Sequence, residues 1–145
     1  MTRRAALPRL IAARRGAVAI EFAVIALPLI LLLTGTIEIS RYTWTRVALQ
    51  DAASAGARCL GLRLSPCVVA DSMDAAATAS FVRGQAQDWS VAITTDTVTP
   101  EEGVACQGVA DFARVAIRHR FTSVVAALPD SWIEVEACFP VYPSA

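Results

Sequence analysis

Glu21 is the residue whose chemistry most needs a reason. It follows the run Arg14-Arg15-Gly16, then Ala17-Val18-Ala19-Ile20, and is followed by Phe22 and an apolar stretch with no charge before Glu38. A carboxylate in such surroundings costs about 2.5–3.5 kcal/mol at a helix centre, and less near a membrane interface. A positive partner would offset that cost. The second chemical set is the four cysteines, Cys59, Cys67, Cys106 and Cys138. With no C-x-x-C and no Cys/His cluster, their spacing points to disulfides and not to zinc, so no metal site is expected. His119 is the only histidine, on the apolar face of a predicted strand, where a packed or edge position outweighs a catalytic one. The sequence has no phosphate-binding loop, no nucleophile elbow and no convincing pair of carboxylates. It reads as a chain that is not an enzyme and needs no cofactor.

Charge sets the topology. The 13 basic residues are all arginine and balance 13 acids, but residues 1–16 hold five arginines (Arg3, Arg4, Arg9, Arg14, Arg15) and no acid. Arginines on one flank of an apolar segment keep that flank cytoplasmic. Beyond the segment stand only Glu38, Arg41 and Arg46, no competing cluster. From Ala17 to Ile37 the chain runs 21 residues, enough at ~1.5 Å each to cross a core of about 30 Å. Pro28 is tolerable in a membrane helix. All four cysteines then lie outside the cytoplasm, where two disulfides, each contributing about 2–4 kcal/mol, would staple a small outer domain of roughly 85–90 residues. A cleaved signal peptide fits less well, because Thr34-Gly35-Thr36-Ile37-Glu38-Ile39-Ser40 offers a poor small-residue cleavage site.

The helix should continue past the membrane. Residues 38–58 lack proline, and Trp44, Ala48, Ala52, Ala55 and Cys59 share one helical face, with Arg46, Gln50 and Ser54 opposite. Gly61, Ser65 and Pro66 end it. A second helix is expected from Asp71 to about Gln87, capped by Asp71 or Ser72, with Ala75, Ala79, Val82 and Ala86 as its apolar stripe. Period-two alternation predicts a strand over 91–96, a loop over 99–108, a strand carrying Ala113, Val115, Ile117, His119 and Phe121 on one face, and a last strand carrying Ile133, Val135, Ala137 and Phe139.

A hairpin turning near Ala127 would set Arg120 opposite Glu134 and Arg118 opposite Glu136. The same hairpin lets Cys138 reach Cys106, while Cys59 and Cys67 flank the local turn. That pairing is the preferred one of the three that four cysteines permit. Arg114, Arg118 and Arg120 form a basic row, but neighbouring glutamates favour a neutral sheet surface over a nucleic-acid site.

The run Arg15-Gly16, Ala17-Val18-Ala19-Ile20, Glu21-Phe22 resembles the processing site of prepilins, which has a basic leader, a terminal leader glycine and a glutamate at the fifth mature residue. With its continuation through Pro28, Gly35, Ile37-Glu38, Arg41 and an alanine-rich stretch, the segment over residues 15–58 is similar to the TadE-like family, minor pilins or pseudopilins of the Flp/Tad (tight-adherence) pilus system. The resemblance implies cleavage between Gly16 and Ala17 by a prepilin peptidase, and assembly through Glu21 and Phe22. It further implies partnership with other pilins or pseudopilins and with the Tad inner-membrane assembly platform. The implied organisation is a leader (1–16), a transmembrane and stem helix (17–58) and an extracytoplasmic domain (59–145). The fold is α+β and pilin-like: a long N-terminal helix packed on a small antiparallel sheet of about three strands, with one additional helix. The location would be the bacterial inner membrane in a single pass, with the C-terminal domain periplasmic or in the surface filament. The competing reading is an uncleaved, membrane-anchored periplasmic binding module.

Overall fold

A computed structural model describes residues 15–125 and 129–142. The arginines at 3, 4, 9 and 14, and the expected turn at Ala127, lie outside the described residues. The architecture is α+β: helix α1 (Arg15–Gly61), a hairpin of β1 (Val68–Val69) and β2 (Ser72–Met73), helix α2 (Ala75–Asp88), a short 3-10 turn (Thr95–Thr97), then β3 (Val98–Cys106), β4 (Val109–Phe121) and β5 (Ser131–Pro140). The three long strands form one antiparallel sheet in the order β3-β4-β5. Two compact units divide within α1, one ending at Ile39 and the other beginning at Ser40.

In the first unit α1 is apolar on every side from Phe22 to Leu33, and its side chains are exposed from Val18 to Leu33 apart from a half-buried Ala26. The helix runs through Pro28. Its hydroxyls are satisfied by the helix itself: Thr34 Oγ1 donates to the Ile30 carbonyl (2.8 Å) and Thr36 Oγ1 to that of Leu32 (2.8 Å). Back-bonding of this kind leaves neither hydroxyl unpaired on the apolar surface.

In the second unit the sheet has one covered face. Ala48, Leu49, Ala52, Ala53, Ala57 and Leu60 of α1 and Ala79, Val82 and Ala86 of α2 share a core with Ala113, Val115, Ile117, Ile133 and Val135 of the sheet. Small residues let α1 approach closely. A Cβ built on Gly56 would stand 2.5 Å from Val82 Cγ2 and 3.3 Å from Val115 Cγ2. The buried face is wider than the expected stripe: Leu49, Ala53, Ala57 and Leu60 join it, whereas Trp44 is exposed and Ala55 half-buried. Gln50, on the polar side, donates from Nε2 to the Glu136 carbonyl of edge strand β5 (2.9 Å).

Several local expectations need correction. Asp71 and Ser72 do not cap α2, because they belong to the β1–β2 hairpin, whose two-residue turn puts Ala70 (φ 49) and Asp71 (φ 64) in the left-handed region. The N-cap is Asp74, whose carboxylate accepts from the Ala77 amide (2.9 Å). Ala75 is exposed and Thr78 takes its buried place. Residues 91–94 form no strand: Val91 and Ile93 are buried in alternation, but the segment finds no ladder partner. The expected loop over 99–108 is instead mostly β3. Pro100 sits on an edge strand, which can spare an N–H, and Gly103 (φ 70) falls where the β3–β4 register shifts. Gln107 (φ 51) and Gly108 (φ 83) then make a tight turn into β4. Finally, the β4–β5 register differs by two residues: Arg118 opposes Glu134, Arg120 opposes Trp132, and Glu136 opposes Ala116.

Candidate functional site

The start of α1 holds the sequence-derived site. Gly16 lies in its first turn, is exposed, and has nothing within 4 Å of where a Cβ would stand. Glu21 is exposed on the apolar helix, with Phe22 beside it 73% exposed. Helical geometry sets Glu21 one turn beyond Ala17, since residues four apart stack on one face. Among the described residues no ion-pair partner stands beside Glu21. The helix that carries it is long and apolar enough to cross a membrane, with a mean hydropathy of 2.4 in its most apolar window and none of that window buried. This arrangement suits lateral packing of α1 against other apolar helices or lipid. Between Val18 and Ile37 its one charged side chain is the exposed Glu21.

Elsewhere the cysteines are already engaged. Cys59 pairs with Cys67 across the Gly61–Pro66 turn (Cα–Cα 5.9 Å), and Cys106 with Cys138 between the end of β3 and β5 (Cα–Cα 6.5 Å). The first bridge is buried; in the second, Cys138 faces outward. Among the described residues no group of His, Cys, Asp or Glu is placed to hold a metal ion. His119 is half-buried on the core side of β4 opposite Ile133, and desolvation lowers its pKa below the ordinary 6.5.

The uncovered sheet face bears the basic row, and each arginine has an acid. Arg114 pairs with Glu101, Arg118 with Glu134 (3.0 Å) and Arg120 with Asp130 (2.9 Å). Arg118 also lies over the Trp132 ring, 4.4 Å from its centroid. A shallow depression of about 340 Å³ between Thr97, Ala116, Arg118 and Glu134 is lined by that paired Arg118 and Glu134 and by the Glu136 side chain. Farther along, Arg63 joins three segments: its Nε donates to Asp71 Oδ1 (3.0 Å), its Nη2 to the Asp71 carbonyl (2.6 Å) and its Nη1 to Glu102 Oε1 (2.5 Å). Sequence spacing gave no sign of this clamp, because its partners lie 8 and 39 residues away.

No curated protein and no solved structure gives a significant match to the chain. The segment that holds Gly16 and Glu21 does match a known family. Residues 16–58, less than half of the chain, match the family model described as TadE-like protein.

Proposed function

We propose that this chain is a minor pilin or pseudopilin of a Tad/Flp-type pilus, cut after Gly16 by a prepilin peptidase and assembled through α1. The observation that carries the reading is Glu21: an acid on the apolar, exposed first part of α1, one turn from the bond that follows Gly16. The TadE-like match over the same residues supports it.

The chemistry is a hydrolysis. Water adds across the Gly16–Ala17 amide, leaving a carboxylate on the leader and an ammonium on Ala17. A glycine on the leader side puts no side chain in the way of an extended backbone. The new ammonium and the Glu21 carboxylate are each costly in poorly hydrated surroundings, and they attract strongly there. Pairing the Ala17 amine of one subunit with Glu21 of a neighbour would fix the stagger between packed helices. The leader stays on the cytoplasmic side of the inner membrane and the Ser40–Ala145 unit faces the periplasm or the filament. Its partners are the peptidase, other pilins or pseudopilins and the inner-membrane assembly platform. The chain acts as a structural subunit and performs no catalysis of its own.

Two substitutions in the native host test this. Gly16→Leu should block processing and leave the leader attached. Glu21→Ala should be processed normally yet impair pilus assembly. Normal pili from the Glu21→Ala variant would remove the role given to this carboxylate.

A further inference from the structure

Within the Ser40–Ala145 unit, the end where α1 enters carries a tethered tryptophan pair. Trp44 Nε1 donates to the Trp89 carbonyl (3.2 Å), and Trp89 Nε1 donates to Asp51 Oδ2 (3.0 Å). Their rings meet edge to face, with centroids 5.4 Å apart. Trp44 remains 56% exposed. With its N–H engaged, what it presents outward is ring carbon. Val47, on the next turn of α1, is also exposed. Tyr42 meets the Phe121 ring edge-on at 5.4 Å, and Val124, just beyond Phe121, is 75% exposed. The charges at this end are of both signs: Arg41, Arg46 and Arg120 against Asp51, Asp88 and Asp130, with Asp51 and Asp130 already bonded. Such a surface suits a layer that is apolar and polar at once better than a purely anionic ligand.

Position along the chain supplies the occupant. If Ala17–Ile37 spans the bilayer, Trp44 follows its end by seven residues, about 10 Å along a helix axis. Helical side chains lean back toward the N-terminus, so the indole reaches nearer the apolar core than its Cα does. The polar layer on each side of the core is roughly 5–8 Å thick. Tryptophan and tyrosine concentrate in that layer, with the ring against lipid carbon.

We propose that this end of the unit is a membrane-contact surface, and that Trp44, with Val47 and Val124, seats it in the phospholipid headgroup layer of the outer leaflet before assembly. The proposal rests on the reading of residues 17–37 as a membrane span. The Trp44–Trp89–Asp51 chain then holds the contacting ring at a fixed angle to α2, so lipid contact orients the whole unit.

The test uses the full chain reconstituted in phosphatidylcholine/phosphatidylglycerol vesicles. The double variant Trp89→Phe, Trp132→Phe reports Trp44 alone. Trp44→Phe, Trp89→Phe reports Trp132, which is exposed on the outward face of β5. Lipids brominated near the headgroup should quench Trp44 severalfold more than Trp132, and vesicles should shield Trp44 from acrylamide. The Trp44→Phe single variant, with Trp89 intact, should lose most of the bromolipid quenching seen for the native chain. Equal quenching of Trp44 and Trp132 in protein that survives an alkaline wash of the vesicles would overturn the contact and leave the span standing. Protein that washes off the vesicles would overturn both.

Discussion

Gly56 and Val82 are in contact with no room for a side chain between them: a Cβ on Gly56 would stand 2.5 Å from Val82 Cγ2, and Val115 closes the other side at 3.3 Å. The valines are branched at Cβ and cannot swing their methyls away cheaply. This crossing is where α1 meets α2 and β4.

Substitutions at two helical glycines should therefore move stability in opposite directions. Gly56→Val adds volume to a filled site and should destabilise the folded unit by about 1–3 kcal/mol. Gly84, inside α2, has nothing within 4 Å of its missing Cβ. Gly84→Ala should stabilise by about 0.5–1 kcal/mol through helix propensity alone. Urea midpoints of the full chain in detergent, followed by near-ultraviolet circular dichroism, measure both shifts.

The two disulfides should differ in worth and in accessibility. The Cys106–Cys138 bridge closes 32 residues and the Cys59–Cys67 bridge 8. Loop-closure entropy gives about 3–4 kcal/mol for the longer and about 2–3 kcal/mol for the shorter. Paired Cys→Ala variants compared by urea unfolding test that order. Mild reductant under native conditions should open Cys106–Cys138 first, since Cys138 is exposed and both Cys59 and Cys67 are buried. Alkylation and peptide mapping would read which thiols appear.

His119 predicts a pH dependence with a definite sign. Burial disfavours the imidazolium, so its folded-state pKa lies below the unfolded value near 6.5. Between those two values the unfolded chain holds more protons than the folded one, and stability rises with pH. Its contribution is complete above 6.5 and is lost as pH falls through the lowered value. Urea midpoints from about pH 7.5 down to about pH 5 should fall less steeply in His119→Gln than in the native chain.

Much of this fold was legible because its strongest signals are local. The uncharged run from Phe22 to Ile37, the alanine stripe near Ala48 and Ala52, and the alternation in Val115-Ile117 and Ile133-Val135 each reflect one face meeting one environment. Structure and expectation part where a distant partner decides the outcome. Val91 and Ile93 alternate as a strand would, yet among the described residues no neighbouring strand bonds them. Thr99–Cys106 looks like a loop because of Pro100 and Gly103, but β4 supplies a ladder and the bulges absorb both residues. The Arg118–Glu134 register preserves the expected faces while sliding by two, because alternation fixes which side a residue occupies and not which residue it faces. The candidate site at Gly16 and Glu21 was readable because its chemistry is an anomaly in composition. The Arg63 clamp was not, since only the fold brings Asp71 and Glu102 to one guanidinium.

The most direct test of the central claim is the intact mass of the native chain, purified from membranes of cells that contain the matching peptidase. The account predicts a polypeptide that begins at Ala17. A chain that still carries Arg3, Arg4, Arg9, Arg14 and Arg15 would contradict it.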